Sequence, residues 1–236
     1  MIDAPSPNHG ERRGGLLPSL VVLHYTAMDG AEAALARLRA PEHEVSAHYL
    51  VGATGQVWRM VDESRRAWHA GAGTWGGLGD VNSRSIGIEL DNRGDHPFAA
   101  SQMAALGMLL RGIMERHAIA PAGVIGHSDM APDRKIDPGP RFDWRRLARA
   151  GLAVWPSADA PAQGSPAEWP ERFAAAAVRF GYPSDTPGVL RAVRGRFRPW
   201  AGRLPSVDAA PDAWDVAVME NLARQHPFLD RGGAGA

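Results

Sequence analysis

Apolar positions along this chain change period several times, and each change marks an element. Leu20-Val21-Val22-Leu23 is a continuous apolar run closing on His24-Tyr25, the pattern of a strand buried on both faces. Ala33, Ala34, Leu35 and Leu38 then recur at helical spacing, with Asp29 placed to cap that helix and Pro41 to stop it. Residues 47–51 and 56–61 read as strands around Gly52-Ala53-Thr54-Gly55, a hairpin loop. In Ser85-Ile86-Gly87-Ile88-Glu89-Leu90 the apolar residues share one side of a strand and Glu89 takes the other. Ser101 can cap a long helix whose Met103, Leu106, Leu109, Leu110, Ile113 and Met114 form one face. A short strand at 124–126 and a helix at 144–150 complete the series, with 1–19 an irregular lead-in and 67–82 a long functional loop. Strands alternating with helices in this order predict an α/β fold, a central mixed β-sheet flanked by helices.

Beyond residue 153 the pattern changes. Residues 154–167 are rich in Pro, Ser and Ala without periodicity and read as a linker between a domain at 1–153 and a small three-helix domain at 168–228. Its helices are expected at 170–180, at 189–197 behind a Thr186-Pro187 cap, and at 211–225, with 229–236 a disordered tail.

Composition narrows the chemistry. The 236 residues carry zero formal net charge and no cysteine. Neutrality argues against nucleic acid as a partner, and any metal must be bound by histidine and carboxylate. No stretch approaches the roughly 18 apolar residues of a membrane span. The start shows no apolar core behind positive charge, so the expectation is a soluble monomer without membrane anchor or export signal, cytoplasmic, with the periplasm as the alternative.

Gly126-His127-Ser128-Asp129 through Arg134-Lys135-Ile136-Asp137-Pro138-Gly139-Pro140 concentrates an imidazole, an ammonium and carboxylates in a proline-clamped loop. A catalytic zinc needs three protein ligands and an open position. His24 and His127, each ending a strand, and Asp137 supply such a set, with Asp129 and Asp133 as competing carboxylates. Asp129 better suits a backbone-capping role. Glu89 is either a solvent-facing strand residue or a general acid/base beside the metal site. Lys135 is either solvated or placed to stabilise an oxyanion. In Arg66-Ala67-Trp68-His69-Ala70-Gly71, His69 could be a fourth ligand, a substrate contact or a buried hydrogen-bonding group. Trp68 and Trp75 suit either sugar stacking or the core, Asn82 can pair with an amide or sugar hydroxyl, and His48 reads as structural.

These motifs together, with Val22-Leu23-His24-Tyr25-Thr26 and Val45-Ser46-Ala47-His48-Tyr49, resemble in the same order the type 2 zinc-dependent N-acetylmuramoyl-L-alanine amidases, relatives of the peptidoglycan recognition proteins. The likeness spans residues 5–150. It implies hydrolysis of the lactyl-L-alanine amide of muropeptides, in cell-wall recycling or turnover, with one Zn2+ ion as cofactor and peptidoglycan fragments as partners. By motif position it makes His24, His127 and Asp137 the zinc ligands, Glu89 the acid/base and Lys135 the transition-state lysine. It puts Arg66, Trp68, His69 and Asn82 in the segments lining the substrate groove. More weakly, Phe197-Arg198-Pro199-Trp200 and the 211–223 stretch resemble the peptidoglycan-binding module of one branch of these enzymes. The competing functions are a non-catalytic muropeptide recognition module and a glycosidase using paired carboxylates. The glycosidase leaves the His24, His127 and Asp137 set unexplained.

Overall fold

A computed structural model describes residues 1–201, 204–206 and 209–228; the tail expected to be disordered lies outside them. Eight strands occur among the described residues: β1 (Ile2–Asp3), β2 (His9–Gly10), β3 (Leu20–Tyr25), β4 (Tyr49–Val51), β5 (Val57–Arg59), β6 (Arg66–Ala67), β7 (Ser85–Leu90) and β8 (Val124–Gly126). Six form one mixed sheet in the order β1-β5-β4-β7-β3-β8, and β2 pairs with β6 apart from it. β3 runs parallel to both β7 and β8, while β5 runs antiparallel to β4 as the hairpin requires.

The alternation along β7 decides what covers each face. Ile86, Ile88 and Leu90 join Val21 and Leu23 of β3 against Met103, Leu106, Leu110 and Ile113 of α3 (Ala100–His117), in one core. Each fully buried aliphatic side chain there contributes about 1.5–3 kcal/mol. The opposite face carries Leu20, Val22 and His24 of β3, whose register partners on β7 are Ser85, Gly87 and Glu89. At one end of that face α1 (Ala31–Arg39) packs Ala34 and Leu38 on Leu50. At the other end α6 (Trp169–Phe180), α7 (Val189–Phe197) and α8 (Ala213–Gln225) share a core with Leu20, Val22 and Ile125. A cleft remains between them at the carboxyl ends of β3 and β7. Two short helices, α2 (Val81–Arg84) and α4 (His127–Met130), and α5 (Trp144–Arg149) connect these parts.

Several expectations need correction. The lead-in is not wholly irregular: β1 adds to the sheet edge beside β5, and β2 pairs with β6. Neither Asp29, Ser101 nor Thr186 caps a helix. Asp29 pairs with Arg93, the Ser101 hydroxyl donates to the Ala53 carbonyl and so pins the hairpin, and Thr186 donates to Ser184. The stretch after Val154 is tied to α8 rather than free, its Ser157 amide donating to Asn221 and its Ala162 amide to the Ala213 carbonyl. Of the two readings left open for Trp75, the core one holds: it is fully buried against Phe180 and Tyr182. Among the described residues no helix is long and apolar enough to cross a membrane.

Candidate metal centre

Strand order brings the candidate ligands together. His24 is next to last in β3, its parallel neighbour on β7 is Glu89, and β8 ends one residue before His127. The carboxyl ends of parallel strands are where open α/β sheets bind ligands. Asp137 returns to the same edge because the Ser128 amide donates to its carbonyl, closing the proline-rich loop on itself.

The donor atoms meet. His24 Nδ1 and His127 Nδ1 are 2.9 Å apart, and each is 3.1 Å from Asp137 Oδ2. All three residues are buried. Around them, other hydrogen bonds decide where the protons sit. His127 Nε2 is 2.9 Å from the Ala70 carbonyl, which only accepts, so that nitrogen carries the proton. A longer chain fixes His24. Ser85 Oγ donates to the Val81 carbonyl and therefore accepts from His69 Nε2; His69 Nδ1 is then bare and accepts from His24 Nε2, 3.0 Å away. With a single proton on each ring, held at Nε2, both Nδ1 atoms turn lone pairs toward one carboxylate oxygen. Three acceptors facing one another repel unless a cation lies among them. Donors held at about 2.1 Å by a tetrahedral zinc stand roughly 3.4 Å apart, within about half an ångström of what is seen. The residues fit a zinc ion.

Burial and the neighbouring His127 push the His24 imidazole down to about 4, so it is neutral and able to ligate at ordinary pH. Burial works to raise Asp137, but its contacts with His127 and His24 outweigh it and hold the carboxyl below the usual range. Glu89 behaves oppositely. Burial, reinforced by the Asp137 charge, raises it to about 8, with Lys135 acting the other way. Its Oε2 has no solvent and no hydrogen-bond partner among the described residues, as suits a group that completes its shell with something bound. A cation beside it would lower its pKa into the range of a working base.

Glu89 and Lys135 line a cavity of about 390 Å³ with His24, His127 and Asp137, and Trp68 and His69 also reach it. His69 does so from behind His24: its ring lies over Gly87, where an added Cβ would come within 2.4 Å of it. The structure does not bring Arg66 or Asn82 to the groove. Arg66 pairs with Asp80 at 2.9 Å and with Ser83, while the buried Asn82 Oδ1 accepts from the amides of His69 and Ala70. Both shape the loop that presents Trp68 and His69. Asp133 is exposed and away from the donors, and Asp129 caps α4 through the Gly126 amide. His48 is structural, its Nδ1 accepting from the Gly87 amide. Sequence reading missed Ser85 and Gly87, whose small size in a strand was the signal, and Arg37, an exposed cation on α1 at the rim of the cavity.

Comparison with known proteins gives the family. Residues 14–140 match the profile of the N-acetylmuramoyl-L-alanine amidase family. N-acetylmuramoyl-L-alanine amidase AmiD of Escherichia coli is 42% identical over 155 residues, 59% of this chain and 55% of AmiD, so that match spans about half of the curated relative's length. The 1,6-anhydro-N-acetylmuramyl-L-alanine amidase AmpD of the same organism is 32% identical over 165 residues, 61% of this chain and 87% of AmpD. In three dimensions the chain is similar to E. coli AmiD solved with the substrate anhydro-N-acetylmuramic acid-L-Ala-D-γ-Glu-L-Lys, with a TM-score of 0.76, 33% identity, and coverage of 93% of this chain and 98% of that one. The matched span covers more than half the chain and encloses every donor, Glu89 and Lys135: this chain belongs to the N-acetylmuramoyl-L-alanine amidase family.

Proposed function

We propose that this protein hydrolyses the amide between the lactyl group of N-acetylmuramic acid and the L-alanine of a stem peptide, with one zinc ion held by His24, His127 and Asp137. The observation that carries it is the meeting of two imidazole nitrogens and a carboxylate oxygen, all buried, beside a carboxyl in register with His24. When bound, the ion supplies Lewis-acid polarisation and lowers the pKa of water toward about 7. Glu89 takes the proton of the attacking water and returns one to the departing alanine nitrogen. The Lys135 ammonium, on the loop between His127 and Asp137, offsets negative charge developing on the lactyl carbonyl oxygen. Trp68 presents a stacking surface at the cavity, and His69 supports His24 from behind rather than touching substrate.

Released muropeptides, including 1,6-anhydro forms, are the substrate class this reading favours. AmiD was solved with such a ligand. The exposed Arg37 and the half-buried Lys135 at the cavity suit the carboxylates of a stem peptide. The protein is proposed to act on these soluble fragments as a monomer in cell-wall recycling or turnover. A recognition module that only binds needs no isolated carboxyl raised to about 8 next to three metal donors. Mass spectrometry of anhydro- and reduced muropeptides after incubation tests the proposal. Expected is free peptide beginning at L-alanine plus the intact sugar, abolished by a chelator and restored by zinc. Lactyl-alanine left joined while the sugar bond is cut, or no cleavage with zinc present, would overturn it.

A further inference from the structure

The C-terminal helices do more than sit beside the α/β part. Arg196 of α7 is 3% exposed and reaches past its own helix to two points on the metal side. Its Nη1 donates to Asp129 Oδ2, and its Nη2 donates to the carbonyl of Val124 at 3.0 Å, in the strand that delivers His127. Its guanidinium stacks 4.1 Å above the Trp144 ring. Tyr182, just past α6 and 1% exposed, donates its hydroxyl to the other oxygen of Asp129 at 2.7 Å. Asp129 is thus fully enclosed: one oxygen holds the Gly126 amide and Arg196, the other Tyr182. A buried carboxylate held from three sides fixes the turn it sits on, and that turn begins at His127.

The second half of the loop is held separately. Arg191 Nη2 donates to the Pro132 carbonyl at 2.8 Å, and Gly188 packs so closely on the same carbonyl that a Cβ there would come within 2.2 Å of it. Pro132 stands three residues before Lys135 and five before Asp137. The loop bearing Trp68 and His69 is clamped too, with Trp75 enclosed by Phe180 and Tyr182 and the Gly76 amide donating to the Gly181 carbonyl at 2.7 Å.

We propose that α6 and α7 are a positioning device for the metal centre, with Arg196, Tyr182 and Arg191 as positioning residues that hold His127, Lys135 and Asp137 in place through Asp129 and Pro132. The inference rests on the zinc reading above. Groups that orient metal ligands typically alter affinity about 10–100-fold when removed.

The test compares zinc affinity, by chelator competition, and the electronic spectrum of the cobalt-substituted protein across single variants of the full chain. Tyr182→Phe removes only a hydroxyl and Arg191→Ala only a surface-side contact, so both keep the fold measurable if Arg196→Met does not. Arg194→Met is the control: Arg194 lies on the same helix but pairs with Asp212 and Asp215 instead of the loop. Expected are a zinc dissociation constant raised roughly 10–100-fold in Arg196→Met, smaller rises in the other two, and an altered cobalt spectrum. Arg194→Met should lose thermal stability with affinity and spectrum unchanged. The inference is overturned if the three loop-contacting variants bind zinc with the affinity and cobalt spectrum of the parent, or if Arg194→Met weakens zinc equally. A parent chain that takes up no zinc would instead overturn the reading beneath it.

Discussion

A neutral imidazole ligates through one nitrogen only, so the partner of its other nitrogen decides which atom is left to ligate. His24 owes its bare Nδ1 to His69, and His69 owes its tautomer to Ser85. His69→Ala should therefore weaken zinc binding about 10–100-fold without removing a ligand, measurable by chelator competition. Glu89→Gln should lower turnover by roughly 10²–10⁴ while zinc content stays at the parent level; loss of zinc instead would make Glu89 a ligand. Glu89 also predicts a pH dependence. Its carboxyl is raised to about 8 in the fold, so the stabilisation from its protonated form is complete below its ordinary pKa and fades as pH climbs through 8. Thermal melts of metal-free protein should show the parent losing roughly 1–3 kcal/mol between pH 5 and 8.5 that Glu89→Gln does not lose. His24, His127 and Asp137 were legible in the sequence because two end apolar runs and the third sits in a proline-clamped loop. For His69 the sequence left a buried hydrogen-bonding role among three alternatives, and only the fold, by showing which nitrogen faces which neighbour, selects it. Arg66 and Asn82 were read as groove residues, and in the fold their polar atoms go to the loop itself.

At the scale of elements, β7 shows how one strand serves a core and a site at once. Its large apolar residues face α3, and Ser85, Gly87 and Glu89 take the opposite side, the first two under the His69 ring and Glu89 at the cleft. The middle residue must be small because the His69 ring occupies the place of its side chain. Gly87→Ala should cost about 1–3 kcal/mol through overpacking and displace His69, lowering melting temperature and zinc affinity together. The long strands and helices were readable from periodicity. Two-residue strands such as β1 and β2 have no period to read, and a serine or aspartate near a helix start has other partners to choose from. Ser101 chose the hairpin and Asp29 chose Arg93.

Across the whole molecule, one apolar core joins β3 and β8 to the three C-terminal helices, with Trp75 at its centre. The sequence announced three amphipathic helices after a proline-rich stretch, and their apolar faces carried no sign of what they would cover. Composition left open whether the helical bundle folds alone or leans on the first part; in the fold the two share one buried core. A chain ending at Val154 would leave Trp75, Leu20 and Val22 without their cover. It should aggregate or melt without a cooperative transition, as followed by size-exclusion chromatography and calorimetry, whereas a monomeric species melting near the parent temperature would show the α/β part to be self-sufficient.

The most direct test of the account is anomalous scattering at the zinc edge from crystals of the zinc-loaded protein. Expected is one strong peak about 2.0–2.2 Å from His24 Nδ1, His127 Nδ1 and an Asp137 carboxylate oxygen. A peak elsewhere, ligation through the opposite ring nitrogens, or no peak in a zinc-saturated crystal would contradict it.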